Sequence, residues 1–170
     1  MYTKHANEHS NEHSLIVGVS FGLTSAIITT LGLMIGLHSF SGSKLVILGA
    51  IFTIAIADAL SDALGIHLSE ESENVHTDKE IWTSTFATFF TKFFFPLTFA
   101  IPLILLDVQS AIYVNIIWGL LSLVVLSYLM ARSQGKNPIK IALEHLTIAI
   151  LVIIITHLFT DMVSGFFGNS

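Results

Sequence analysis

The chain has no cysteine among its 170 residues, which excludes disulfides, thiolate metal sites and cysteine nucleophiles. Only 11% of its residues are charged, where a water-soluble domain carries about 25%. Proline occurs three times, at 96, 102 and 138, and the formal net charge is −5. There is no basic stripe, which excludes nucleic acid as a partner. The first apolar run is too long for a signal-peptide core, lacks an Ala-x-Ala cleavage site and follows a polar tail with one lysine, so no secretory signal is expected.

What the chain does hold is apolar surface. It is 53% hydrophobic with 13 Phe, and five apolar runs lie at about 15–38, 45–67, 81–106, 109–131 and 139–166. Each meets the requirement of about 20 residues for a membrane-crossing helix. The expected fold is an all-α integral membrane domain over 15–166, with a polar tail at 1–14 and a short one at 167–170. Lys4, Lys79, Arg132, Lys136 and Lys140 fall on one side of these runs and Lys44 alone on the other. The positive-inside rule then puts the N-terminus in the cytoplasm and the C-terminus outside.

The stretch that points to function is 55–73. Asp58 and Asp62 lie inside the second apolar run, four residues apart, on one helix face and about 6 Å apart along its axis. A carboxylate at bilayer depth costs roughly 2.5–3.5 kcal/mol, so two in one segment point to an ion path. Ser61 stands beside them. His67, Glu70, Glu71 and Glu73 follow at the water edge, as expected of a cytoplasmic capture site for a cation. Lys92 sits in the middle of the third run at a similar depth, and an ion pair with Asp58 or Asp62 is expected.

Two carboxylates this close in a low dielectric resist ionising together, so an arriving cation should release a proton. Oxygen ligands of this kind suit divalent ions such as Mn2+, Mg2+ or Ca2+. Lys92 would neutralise the empty site and move aside when the ion binds.

Three further features complete the reading. In the first run, Gly18 with Gly22 and Gly32 with Gly36 have the small-xxx-small spacing of close helix contacts, which suggests the seam of a homodimer. Met34, His38, His157, Asp161 and Met162 fall at a common depth near the outer side, where imidazole, carboxylate and thioether would hold a metal ion. In the tail, His5, His9 and His13 recur every four residues, a spacing that chelates a transition metal if the segment is helical.

Residues 21–36, Phe-Gly-Leu-Thr-Ser-Ala-Ile-Ile-Thr-Thr-Leu-Gly-Leu-Met-Ile-Gly, and 59–69, Ala-Leu-Ser-Asp-Ala-Leu-Gly-Ile-His-Leu-Ser, resemble the first two helices of the vacuolar iron transporter family, which includes yeast and plant iron/manganese transporters. The first stretch is similar to that family's Gly-Leu-x-Asp-Gly turn followed by Thr-Thr and two glycines. The second is similar to its Ala-Leu-Ser-Met-x-x-Gly-Glu-Tyr-x-Ser. The resemblance implies a five-helix homodimer exporting Fe2+ or Mn2+ from the cytoplasm in exchange for protons, with Ser25, Met34, Ser61 and Asp62 along the path. It implies no resident cofactor, the metal ion being the substrate.

Ser25 stands where the family has an aspartate, Asp62 where it has a methionine and Ile66 where it has a glutamate. The family's long insert after the second helix is missing, which points to a prokaryotic plasma membrane, with a vacuolar membrane as the alternative. Two other function classes are carried beside transport. One is a non-transporting metal sensor or scaffold. The other is a metal-dependent lipid transferase, whose Asp-Gly and Ala-Arg elements are absent ahead of Asp58.

Overall fold

The computed structural model describes the backbone of residues 2–167 and the side chains from Ser10 onward. Five helices follow one another: α1 (Tyr2–Ser41), α2 (Lys44–Glu73), α3 (Asp78–Leu105), α4 (Val108–Ser133) and α5 (Pro138–Phe167). Each is long and apolar enough to cross a membrane. This is a multi-pass membrane protein by length and composition. The expected runs fall inside the observed helices, except that the third overruns α3 by one residue, at its C-cap Leu106. The largest difference is at the start, where helix 1 begins at Tyr2 and takes in the segment read as a tail. The side chains of His5 and His9 lie outside the described residues.

Local chemistry sets the helix ends. Ser43, Thr77 and Asp107 are N-caps of α2, α3 and α4, each with a side-chain oxygen accepting a backbone N–H of the first turn. Thr77 forms a full capping box: Glu80 accepts from the Thr77 N–H at 2.6 Å while the Thr77 hydroxyl accepts from the Glu80 N–H at 3.4 Å. Asn137 Oδ1 accepts from the N–H groups of Ile139 and Lys140, and Pro138 opens α5, where a missing N–H costs nothing. The α1–α2 and α4–α5 turns reverse at Gly42 (φ +57°) and Gly135 (φ +67°), and α2 stops at left-handed Asn74.

Helix α1 is the most buried and touches all four others, with α2, α3, α4 and α5 arranged around it; α5 is the least buried. The apolar core lies towards the α1–α2 turn. It is built from Ile27, Leu31 and Met34 of α1, Ile47 and Ile51 of α2, Phe99 and Leu103 of α3 and Leu123 of α4. Pro96 and Pro102 sit within α3 without ending it. Beyond this core, along α1–α3, the interior turns polar: Ser84 and Thr88 are 0% exposed and Lys92 is 1% exposed. That change of character positions the candidate site.

Candidate functional site

Asp58 and Asp62 stand midway along α2, facing α3 and α1. Lys92 of α3 reaches both: its Nζ donates to Asp58 Oδ2 at 2.5 Å and also to Asp62 Oδ2. Helix α1 supplies two hydroxyls. Ser25 Oγ donates to Asp62 Oδ2 at 2.8 Å, and Thr29 Oγ1 lies 3.2 Å from Asp58 Oδ2 and 2.8 Å from the Ser25 carbonyl. Thr29 belongs to the Thr-Thr of the helix-1 motif but is not among the site residues expected from the sequence. Its signal was its place one turn after Ser25, which puts the two on the same face.

The site is asymmetric. Lys92 is 1% exposed, whereas the side chains of Asp58 and Asp62 keep 30% and 22% of their surface. The open side is a lateral groove of about 600 Å³ between α1 and α2, lined by Asp58, Ser61, Thr29 and Gly32 with apolar neighbours. Lys92 thus lies behind the carboxylates, and a cation entering from the groove meets Asp58 first. The expectation that Lys92 must move aside is therefore not required by the geometry.

The other expected site residues are placed differently. Glu70 is buried at the α2–α3 seam, with Ser84 Oγ donating to it at 2.5 Å. His67 Nδ1 lies 3.0 Å from Thr85 Oγ1 and its ring meets Trp82 edge-on. Glu71 is exposed, and Glu73 is exposed and paired with His76 at 3.2 Å. The capture site expected from these four residues does not assemble, because helical spacing turns Glu70 inward and Glu71 and Glu73 outward.

Towards the opposite end, Met34 is packed in the apolar core with Asn115 Nδ2 3.7 Å from its sulfur, and Met162 is exposed. Neither thioether joins a site with His38, which bonds Gln109 at 3.0 Å, or with His157, which bonds Ser39 at 3.2 Å and lies 3.5 Å from Asp161. His38 and His157 do line one cavity of about 330 Å³, whose other walls are mostly isoleucine. Among the described residues, no three His, Asp or Glu side chains come together in a group that could hold a metal ion.

The four glycines of α1 are used inside the chain. Gly18 and Gly22 lie against Ser84, Ala87, Thr88 and Thr91 of α3; Gly32 and Gly36 face Thr156 and Thr160 of α5. The homodimer seam expected along them is thus occupied by the chain's own helices, since close packing within a bundle needs the same spacing as packing between copies. What α1 leaves open is the edge at Thr29 that borders the groove. Searched against known proteins, the chain matches no family model and no curated protein.

Proposed function

We propose that this protein is a divalent-cation transporter that moves Fe2+- or Mn2+-type ions out of the cytoplasm by proton exchange at Asp58 and Asp62. One observation carries the reading: two partly exposed carboxylates at mid-span, held from behind by a buried lysine, with Asp58 lining a lateral groove. Partly exposed carboxylates facing hydrocarbon are costly, so this face meets water or another protein surface. A second copy seated groove to groove satisfies that need, and it places the dimer contact at the α1–α2 edge, which of the four α1 glycines takes in Gly32.

Charge supports the same arrangement. With all three groups ionised, Asp58, Asp62 and Lys92 carry one net negative charge per chain, and two facing copies carry two, which one divalent ion balances. Four carboxylates and the hydroxyls of Thr29 and Ser61 form an oxygen-rich set of the kind that suits hard divalent ions, with Mn2+ fitting better than a softer metal. The basic residues beside α2–α3 and α4–α5 support a cytoplasmic location for the Glu70 end. The resemblance to vacuolar iron transporters in α1 and α2 agrees with export.

The Lys92 bridge also favours a second reading, in which the charged trio is a static buried ion pair in a membrane metal sensor or scaffold. Uptake of Mn2+, Fe2+, Co2+ and Ca2+ into proteoliposomes, with internal pH recorded, separates the two. Metal-driven proton movement that vanishes in Asp58→Ala and Asp62→Ala is the expected result. Undiminished flux in both variants, or none from the folded wild type, would sink the transport reading.

A further inference from the structure

Glu70 is the ionisable group that the aspartate site leaves unused. It is 6% exposed, and Ser84, which is 0% exposed, is its hydrogen-bond partner. Among the described residues no lysine, arginine or histidine forms an ion pair with it. A carboxylate desolvated without a cation is costly, so among the described residues it is Ser84 that must stabilise the group.

Hydrogen counting at Ser84 shows what that is. Its hydroxyl has one proton, yet two acceptors lie within reach: Glu70 Oε2 at 2.5 Å and the Ile81 carbonyl at 2.9 Å. When Ser84 donates to Glu70, the carboxylate is ionised and held. When Ser84 donates to Ile81, the short contact to Glu70 is held by a proton on the glutamate instead. Both states satisfy their hydrogen bonds, and uptake or release of one proton, with one hydroxyl rotation, interconverts them with no heavy atom moving.

We infer that Glu70 and Ser84 form a proton-binding site at the α2–α3 seam, separate from the aspartate pair. One carboxylate and one hydroxyl are too few for a divalent ion, which takes six or more oxygen ligands in hard-cation sites; they suit a proton. The ionisable groups on the elements around it are either bonded elsewhere or exposed. On α3, Glu80 holds the Thr77 N–H. On α2, His67 bonds Thr85, while Glu71 and Glu73 are exposed. On α1, Gly18 lies against Ser84, and the nearest ionisable residues in sequence, His13 and Glu12, are exposed.

The site is about 12 Å along α2 from Asp62. The buried side chains of Ser84, Thr88 and Lys92 cover that interval on α3 at one-turn steps. That the proton held here is the one exchanged at Asp58 and Asp62 rests on the transport activity proposed for them; the proton site itself does not.

The test is infrared difference spectroscopy of the reconstituted full chain, stepped between neutral and acid pH without metal. A protonated-carboxyl band that disappears in Glu70→Gln, shifts in Ser84→Ala and persists in Asp62→Asn is the expected result. Spectra of Glu70→Gln and Ser84→Ala that superpose on the wild type overturn the proton site. If Glu70→Gln does not fold, an unshifted band in Ser84→Ala overturns it alone. The same vesicles are assayed for metal flux: the band change without wild-type flux keeps the proton site and removes the exchange reading, and flux without the band change does the reverse.

Discussion

Gly18 of α1 lies directly on the main chain of Ser84 in α3, with no room for a Cβ between them. A methyl there would also stand 2.8 Å from the Ala87 Cβ, and neither neighbour can step aside. At Gly22 the nearest atoms would be 3.0 and 3.1 Å away, but at Gly32 the nearest is Thr156 Oγ1 at 3.7 Å, an ordinary contact. Gly18→Ala should therefore destabilise the bundle by about 1–3 kcal/mol. Gly22→Ala should cost less, and Gly32→Ala should be neutral or slightly stabilising through helix propensity. Unfolding in mixed micelles gives the order. Gly32→Ala as the most damaging change would mean that α1 packs against something outside its own chain.

The Lys92 bridge makes a second stability prediction. Removing one partner of a buried ion pair leaves the others uncompensated, at about 3–5 kcal/mol. Because Asp58 and Asp62 keep 30% and 22% of their side-chain surface, Lys92→Met should fall at the lower end of that range. The triple variant Lys92→Met, Asp58→Asn, Asp62→Asn should recover most of the loss, because no charge is left unpaired. The same unfolding assay decides: a single variant as stable as wild type would show that Lys92 does not neutralise the aspartates.

The five helices were legible because lipid-compatible runs are long, and the Lys92 pairing because helix arithmetic gives depth. Which neighbour a feature serves was not legible. The spacing of Gly18 and Gly22 is the same whether α3 or a second chain fills it. Glu70, Glu71 and Glu73 read as one acidic patch, yet one turn of α2 buries the first and exposes the others. Met34 and His38 share a face of α1, but the thioether ends in the apolar core while the imidazole reaches Gln109, a difference set by α4.

Asp107, the N-cap of α4, ties stability to pH. Its carboxylate accepts the Ser110 backbone N–H at 3.0 Å, and that bond first, with further help from the Ser110 side chain, holds its pKa below the usual carboxylate value. A group depressed in the folded state contributes stability that is fully present above its unfolded pKa, about 3.9. That contribution is lost as pH falls through the lower folded value. Amide exchange at the first turn of α4 should thus be slow at neutral pH and accelerate in acid. Asp107→Asn should keep the cap while removing most of this pH dependence, and Asp107→Ala should exchange fast throughout. A wild-type profile that is flat into strong acid would show that the cap does not depend on the charge.

Leu31 of α1 packs directly onto Gly119 of α4. A Cβ at Gly119 would stand 2.8 Å from one Leu31 methyl and 3.1 Å from its Cγ, and Leu31 is 1% exposed within the core. Leu31→Ala alone leaves a cavity and should cost about 2–5 kcal/mol. Gly119→Ala alone forces the leucine off its place and should cost about 1–3 kcal/mol. Together the new methyl enters space that the leucine has vacated, so the double variant should be less damaged than the two losses added. A double-mutant cycle in the same micelles measures that coupling, expected between about 0.5 and 3 kcal/mol for residues in contact. Strict additivity would place α4 farther from α1 than this packing allows.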